Sequence, residues 1–487
     1  MRSGFLNRII SFFDNDLGEF CVIGLSIVAA AGIIFSVDFS NNQELLQVMV
    51  CLIGALLAVV CFGSQKAWIP VLFGFLLIRD LSLGSVLNAG GVKIGDLFIF
   101  YLFLLWVLNI LFNRLQPHIL RSKLDFIILC FVVFYAFSLF WSSDFIFGLI
   151  RVIKFIRNFC FFILIRELFI KDFWDSYRKT TTCFILGGII LIIAYVAVIF
   201  QNVKIESIVA LFHQKSLCST DLLFLRKWTT SCGIFIAGPQ FWLLLSSILT
   251  FGLLGITKSK FLRFAEVCLF LFMILGATFM TLNRSAMIMT CIIFLVLLIG
   301  SFKVGIKENK WILIGIVSLF ALVVLVSGGH KLVIKRFSNP FKDGSWLGRV
   351  ELASAAIKGF KQSPIIGIGS GSNFTMQSFY TTQQPSRLPD NLYLNILSET
   401  GLVGFGLFLT IVFLWLKNLF NCVLDVRMSP QVRSVSLVIL AFSIGYLSIA
   451  LIGQEFENFE CWIMLGITAA LIKIREKQLR TKEISYI

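Results

Sequence analysis

Apolar blocks of roughly 17–25 residues recur along this chain, and that length dictates the solvent it can fold in, because a helix of about 20 apolar residues covers the ~30 Å of a bilayer's hydrocarbon. The blocks lie near residues 20–37, 45–63, 67–79, 96–113, 124–141, 145–165, 181–200, 234–256, 262–282, 284–302, 311–327, 393–416, 434–453 and 459–474. Two of them, 67–79 and 459–474, are short, so twelve or thirteen full crossings fit as well as fourteen. Of the 487 residues, 58% are hydrophobic and 14% charged, whereas a soluble domain carries about a quarter charged residues. No soluble core takes up so much apolar surface. The sequence predicts an all-α, polytopic transmembrane helix bundle with about fourteen spans and a large, partly helical extracytoplasmic loop.

A net charge of +16 suggests nucleic acid at first sight. Its positions argue otherwise, because Lys and Arg gather between the apolar blocks with no aromatic-interleaved basic surface. Arg114, Arg121 and Lys123 mark one side, as do Lys258–Arg263, Lys303–Lys310, Lys417–Arg433 and the tail Lys473–Lys482. With fourteen spans all of these face one compartment, which the positive-inside rule makes the cytoplasm, and both termini lie there. No cleavable signal is evident in Met1–Glu19, so the first apolar block is expected to remain as an anchor.

The expected organisation is an N-terminal bundle over 1–200, a first long outer loop over 201–233, central spans over 234–327, a large outer loop over 328–392, and C-terminal spans with a basic tail over 393–487. Both outer loops carry Lys and Arg, suited to an anionic headgroup or to a solvated surface. Within the second, Trp346, Val350, Ala353, Ile357 and Phe360 share one face of an amphipathic helix over 346–361, placed either at the membrane interface or as a cap on the bundle. Cys218 and Cys232 both fall in the first loop, where an oxidising compartment would let them pair. Most other cysteines sit inside apolar blocks and act as small hydrophobes.

Charges inside a span are costly, about 3 kcal/mol each on insertion scales. Arg151, Lys154 and Arg157 share one face of the block at 145–165. They are expected to meet either a lipid diphosphate in a wet cavity or acidic partners such as Glu266, Glu455, Glu457 and Glu460. Gly367, Gly369 and Gly371 lack the strand–helix context of a nucleotide loop and read as close turns.

The residues from Trp346 read WLGRVELASAAIKGFKQSPIIGIGSGSNF, followed further on by PDNLYLNILSETGLVGFG. This resembles the carboxy-terminal signature of the O-antigen ligase and polymerase family: an Arg on a helix, a Pro-Leu-Gly-x-Gly turn, a His-Asn pair and a Glu-x-Gly-x-x-Gly helix start. The matching positions are Arg349, Pro364, Gly367, Gly369, Asn391, Glu399, Gly401 and Gly404. TLNRSA at Thr281–Ala286 resembles the family's Ser-Arg turn, and LRKWTTSCGIFIAGPQF its Arg-x-x-Gly-x-x-x-x-Pro-Asn approach to a span, through Arg226, Gly233, Gly238 and Pro239. SLFWSSD, ahead of 145–165, is also similar. Two positions depart: the family's His is Asp390 and its Pro-Asn is Pro239-Gln240. That His is the family's ligase catalyst, so its replacement favours a polymerase-type member.

The resemblance implies a membrane glycosyltransferase acting on the periplasmic side of a bacterial inner membrane, on glycans carried by a polyprenyl diphosphate. It implies membrane lipid, a chain-length regulator and a flippase as partners. Arg226, Arg284 and Arg349 are the candidates to hold the diphosphate, since a guanidinium binds phosphate bidentately and stays charged. Arg284 and Arg349 would also stabilise charge developing on the leaving group. Asp390 is the candidate base, with capping of the following helix its structural alternative. Asn391 and Glu399 either orient the acceptor or hold the structure. Three scattered histidines predict no metal and no cofactor. Ligation to lipid A-core, transport of the same lipid and a non-catalytic scaffold remain as alternatives.

Overall fold

The computed structural model describes residues 122–202, 239–257, 259–277, 284–304, 344–373, 391–451 and 459–485, with short pieces at 88–110, 314–318 and Gly453. Ten helices are traced here: α1 (Lys123–Phe137), α2 (Phe145–Lys171), α3 (Phe173–Asn202), α4 (Pro239–Leu254), α5 (Lys260–Leu275), α6 (Arg284–Val304), α7 (Gly344–Gln362), α8 (Leu392–Leu424), α9 (Pro430–Ile449) and α10 (Phe459–Ser485). A two-residue antiparallel ladder of Asn88–Ala89 with Val92–Lys93 is the sole strand pairing among the described residues. The apolar blocks at 20–37, 45–63 and 67–79, all but the first two residues of the loop at 201–233, including Cys218 and Cys232, and most of 96–113 and 311–327 lie outside them.

Helix starts follow local side-chain chemistry. Ser122 and Asp125 form a reciprocal capping box on α1, at 3.1 and 3.2 Å. Asp144 accepts from the Phe147 amide at 3.0 Å to start α2. Ser429 caps α9 ahead of Pro430, whose missing N–H costs nothing in a first turn. A 3-10 turn, Ser138–Trp141, closes the α1–α2 hairpin. The other end of that hairpin is fastened by Arg166, which binds Asp125 at 2.8 Å and Glu167 at 2.6 Å.

Among the described residues, four helical stretches are long and apolar enough to cross a membrane: Lys123–Trp141, Ser285–Phe302, Leu392–Leu424 and Pro430–Ile449. Helix α2 has the length but carries Arg151, Lys154 and Arg157 in its first half. Large apolar side chains stand exposed on these helices, including Phe137, Leu295, Ile299, Leu409 and Phe413. In water such a surface would aggregate; against acyl chains it is at home. The chain is an integral membrane protein, and the expected count of about fourteen spans rests partly on stretches outside the described residues.

Two compact units are distinguished: Met1–Asn109 with Asp175–Ser246, and Ile110–Trp174 with Ser247–Ile487. In the first, the Phe184 carbonyl accepts from Trp242 Nε1 and Ser246 Oγ at 3.2 and 2.8 Å, and the Trp242 indole lies against Gly187. In the second, α2 packs along α10, α6 along α9, and α8 touches α1, α7, α9 and α10. Small residues permit the close approaches: Gly300 receives Leu437, and Gly445 receives Met289 and Ile293. Helix α9 forms the interior, with 83% of its span buried against 28% for α8.

Candidate functional site

Helix α8 is broken inside its apolar run, and the break organises everything around it. Asn391 caps the helix by accepting from the Leu394 amide at 3.0 Å. The cap expected of Asp390 therefore belongs to its neighbour; Asp390 itself lies outside the described residues. The Leu392 amide donates to the Ala450 carbonyl at 2.9 Å, and Tyr393 Oη to that of Leu447 at 2.9 Å, so the start of α8 closes the end of α9. Two turns on, Gly401 adopts φ 61° and ψ −164°, a conformation essentially limited to glycine.

A break at membrane depth strands backbone groups that water cannot reach. Here the turn Ser363–Asn373 supplies their partners. Ile368 and Gly369 amides donate to the Ser398 and Glu399 carbonyls, both at 3.0 Å, while the Leu402 and Val403 amides donate to the Pro364 and Ile365 carbonyls at 2.9 and 3.1 Å. The approach is so close that a Cβ on Gly367 would fall on the Glu399 carbonyl, and one on Gly401 on the Ile365 carbonyl. The Gly-x-Gly turn and the Glu-x-Gly helix, separate motifs in sequence, are thus two halves of one interlock.

The turn's far side rests on SLFWSSD. Ser370 N donates to Ser138 Oγ at 3.1 Å, Ser142 Oγ to the Ser370 carbonyl at 2.7 Å, and Ser143 N to Ser372 Oγ at 2.9 Å. Asn373 Nδ2 reaches Asn395 Oδ1 at 2.7 Å and Ser398 Oγ at 2.6 Å. The amides of residues 367–370 and 372 all go to protein acceptors. These five amides are therefore spent on internal contacts.

Beneath it, Glu399 is fully enclosed, with its Oε1 paired to Arg151 Nη1 and its Oε2 accepting from Tyr135 Oη at 2.7 Å. Exposure of Arg151 is 2% and of Glu399 0%. The Arg151 guanidinium stands 5.8 Å from the Tyr135 ring centre, and Phe155 packs on that ring at 4.4 Å. Arg151, expected to meet either a diphosphate or the acids Glu266, Glu455, Glu457 and Glu460, pairs with Glu399, a carboxylate outside that set. Arg157 is also enclosed, donating to Asn158 Oδ1 at 3.0 and 2.7 Å and stacking 4.4 Å from the Phe459 ring. Lys154 is half-buried between them on α2.

Of the other expected residues, Arg349 is half-buried in the first half of α7, and Arg284 is the first residue of α6. Arg226 lies outside the described residues, as do Glu455 and Glu457. Glu266 accepts from Thr257 Oγ1 at 2.6 Å. Among the described residues no three His, Cys, Asp or Glu side chains are grouped as metal ligands. Sequence reasoning missed Tyr135 and the serines at 138, 142, 370 and 372. A buried carboxylate needs a second donor besides Arg, and a lone Tyr within LCFVVFYAF was the signal for it.

No curated protein matches this chain. Residues 269–409 match the sequence model of a family described as O-antigen ligase. That match contains Arg284, Arg349, and the glycine turn and broken start of α8 that interlock. Over residues 269–409, therefore, the chain is similar to the O-antigen ligase family.

Proposed function

We propose that the protein polymerises oligosaccharide repeat units carried on a polyprenyl diphosphate, building O-antigen or a related surface polysaccharide on the outer face of a bacterial inner membrane. The observation that carries this reading is the family match over residues 269–409, which covers the candidate diphosphate ligands Arg284 and Arg349. In the reaction, an acceptor sugar hydroxyl attacks C1 of the donor sugar, the bond from C1 to the diphosphate oxygen breaks, and the hydroxyl proton leaves. Arg226, Arg284 and Arg349 bind the diphosphate and stabilise the charge it gains, an effect enlarged in a dry, preorganised cleft. Asp390, next to the cap of α8, takes the proton. No metal or cofactor enters this scheme. The donor lipid and the surrounding membrane are the immediate partners, with a flippase supplying substrate and a chain-length regulator limiting product.

Ligation of finished glycan to lipid A-core is the second reading, favoured by the description of the matched family itself. Against it stands Asp390 at the position of the family's His. A chromosomal deletion separates the readings through the surface glycan it leaves. The polymerase reading expects single repeat units on the lipid A-core and no long chains, restored by the intact gene but not by Arg349→Ala. Long polymer retained on polyprenyl diphosphate, with bare lipid A-core, would make the protein a ligase. Repeat units trapped on the cytoplasmic side would make it a transporter.

A further inference from the structure

We infer that Tyr135, Arg151 and Glu399 are positioning residues for this reaction: they fix the turn Ser363–Asn373, and with it the helix bearing Arg349, against the start of α8, and touch no substrate themselves. The inference rests on the glycan-transfer reading above. Tyr135 and Arg151 lie outside the family match at 269–409, which assigns them nothing.

The bonds form a closed ring. Tyr135 Oη donates to the Glu399 carboxylate at 2.7 Å, and the Glu399 carbonyl accepts from the Gly369 amide at 3.0 Å. The next amide, Ser370, donates to Ser138 Oγ at 3.1 Å, and Ser138 Oγ donates to the Tyr135 carbonyl at 2.7 Å. Arg151 fills the remaining carboxylate oxygen, so that both oxygens of Glu399 are taken within the protein. At 0–2% exposure the pair is enclosed by the protein and away from its surface. The residues consequently act through what they hold.

What they hold is the join between the two halves of the matched segment. Ser363 follows Gln362, the last residue of α7, whose first half carries Arg349. Glu399 lies eight residues after Asn391, which places the ring roughly 12 Å below the start of α8 at 1.5 Å per residue. Gly359 of α7 meets Ser398 of α8, and neither it nor the buried Ala355 and Ala356 beside it has a long side chain to set register. Ile368 fills the space beside Gly359, so the seating of α7 depends on where the turn sits.

The test uses the full-length protein in proteoliposomes with synthetic polyprenyl-diphosphate repeat units, reading initial rate against donor concentration. Tyr135→Phe and Glu399→Gln are near-isosteric, and a melting curve confirms that each is folded. A shift of about 1 Å in a reacting group costs on the order of 100-fold. We expect kcat to fall about 10- to 100-fold in Glu399→Gln with KM for the donor unchanged, the pattern of an interaction needed only in the transition state. Arg151→Lys should recover part of the activity lost in Arg151→Met. The double variant Arg151→Met/Glu399→Leu leaves no buried charge, so it should fold yet stay slow. A second readout needs no activity: Ile366→Cys, on the half-exposed part of the turn, should react faster with a membrane-impermeant maleimide when Glu399→Gln is added.

A donor KM that rises in Arg151→Lys with kcat intact would overturn the inference, because Arg151 would then contact the diphosphate. Full kcat in the apolar double variant would overturn it too, as would unchanged labelling and kcat in Glu399→Gln. Wild-type protein inactive on the donor while labelling still responds to Glu399→Gln would instead remove the glycan-transfer reading and leave the ring as a purely structural clamp.

Discussion

At Glu399 a carboxylate sits inside the bundle with a guanidinium and a phenol as its partners, and removing either charge alone strands the other. Breaking a buried pair in that way costs about 3–5 kcal/mol. Arg151→Ala and Glu399→Ala should each lower the melting temperature in detergent and the amount of protein recovered from membranes. Equal recovery of either variant and wild type would contradict the buried pairing. Glycine behaves differently at two positions of the same helix. Gly401 has φ 61° with Ile365 and Gly367 backbone against it, whereas nothing lies within 4 Å of a Cβ placed on Gly406. Gly401→Ala should prevent stable folding, while Gly406→Ala should be neutral or stabilising by about 0.5–1 kcal/mol. Thermal unfolding of the two variants side by side decides it.

Helix α7 shows how far the sequence could be read and where reading stopped. Its periodicity marks a helix over 346–361, and the structure has one over Gly344–Gln362. The face was another matter. The apolar pattern singles out Val350 and Ile357, which stand 52% and 43% exposed, while Leu352, Ala355 and Ala356 are buried, as is Gly359, which meets Ser398 of α8. In a membrane protein apolarity does not mark the packed face, because lipid accepts it equally well; small residues mark it instead. Ala356→Leu should therefore destabilise by about 1–3 kcal/mol through overpacking, whereas Ile357→Val should leave the melting temperature unchanged. The α8 break was equally hidden: the span expected at 393–416 runs on to Leu424 with Gly401 inside it. The glycines at 367 and 369 were legible as close turns, but their insertion beside Gly401 depends on a pairing that no local pattern encodes. For the same reason Arg151 could be seen as a costly charge although Glu399, its partner, is 248 residues away.

Where α8 ends, Asp425 accepts from Arg427 at 2.9 Å and from Arg475 of α10 at 3.1 Å. The Arg427 bonds, foremost, hold the Asp425 carboxyl at about 2, below its ordinary 3.8. A lowered acid stabilises the fold above its ordinary value and loses that contribution as pH falls through the folded one. The α8–α10 link should accordingly weaken between about pH 4 and pH 2. In that interval the melting temperature of wild-type protein should fall more steeply than that of Asp425→Asn; parallel curves would show that Asp425 contributes nothing.

On the scale of the whole molecule, the family-matched segment is not self-sufficient. Its interlock borrows Tyr135, Ser138, Ser142 and Arg151 from α1, the turn that follows it, and α2, so the chain ahead of residue 269 shapes the region bearing Arg349. The positive-inside rule, applied to the expected fourteen spans, leads us to propose that the start of α8 and the glycine turn face the outer side, where a lipid-linked glycan would present its diphosphate. The central claim is that this region transfers glycans, and reconstitution tests it most directly. Purified protein, synthetic polyprenyl-diphosphate repeat units and EDTA are combined, and the products are resolved by size. A ladder growing by whole repeats, formed by wild-type protein and lost in Arg349→Ala, is the result predicted. Folded wild-type protein that lengthens no donor and moves no glycan onto added lipid A-core would contradict it.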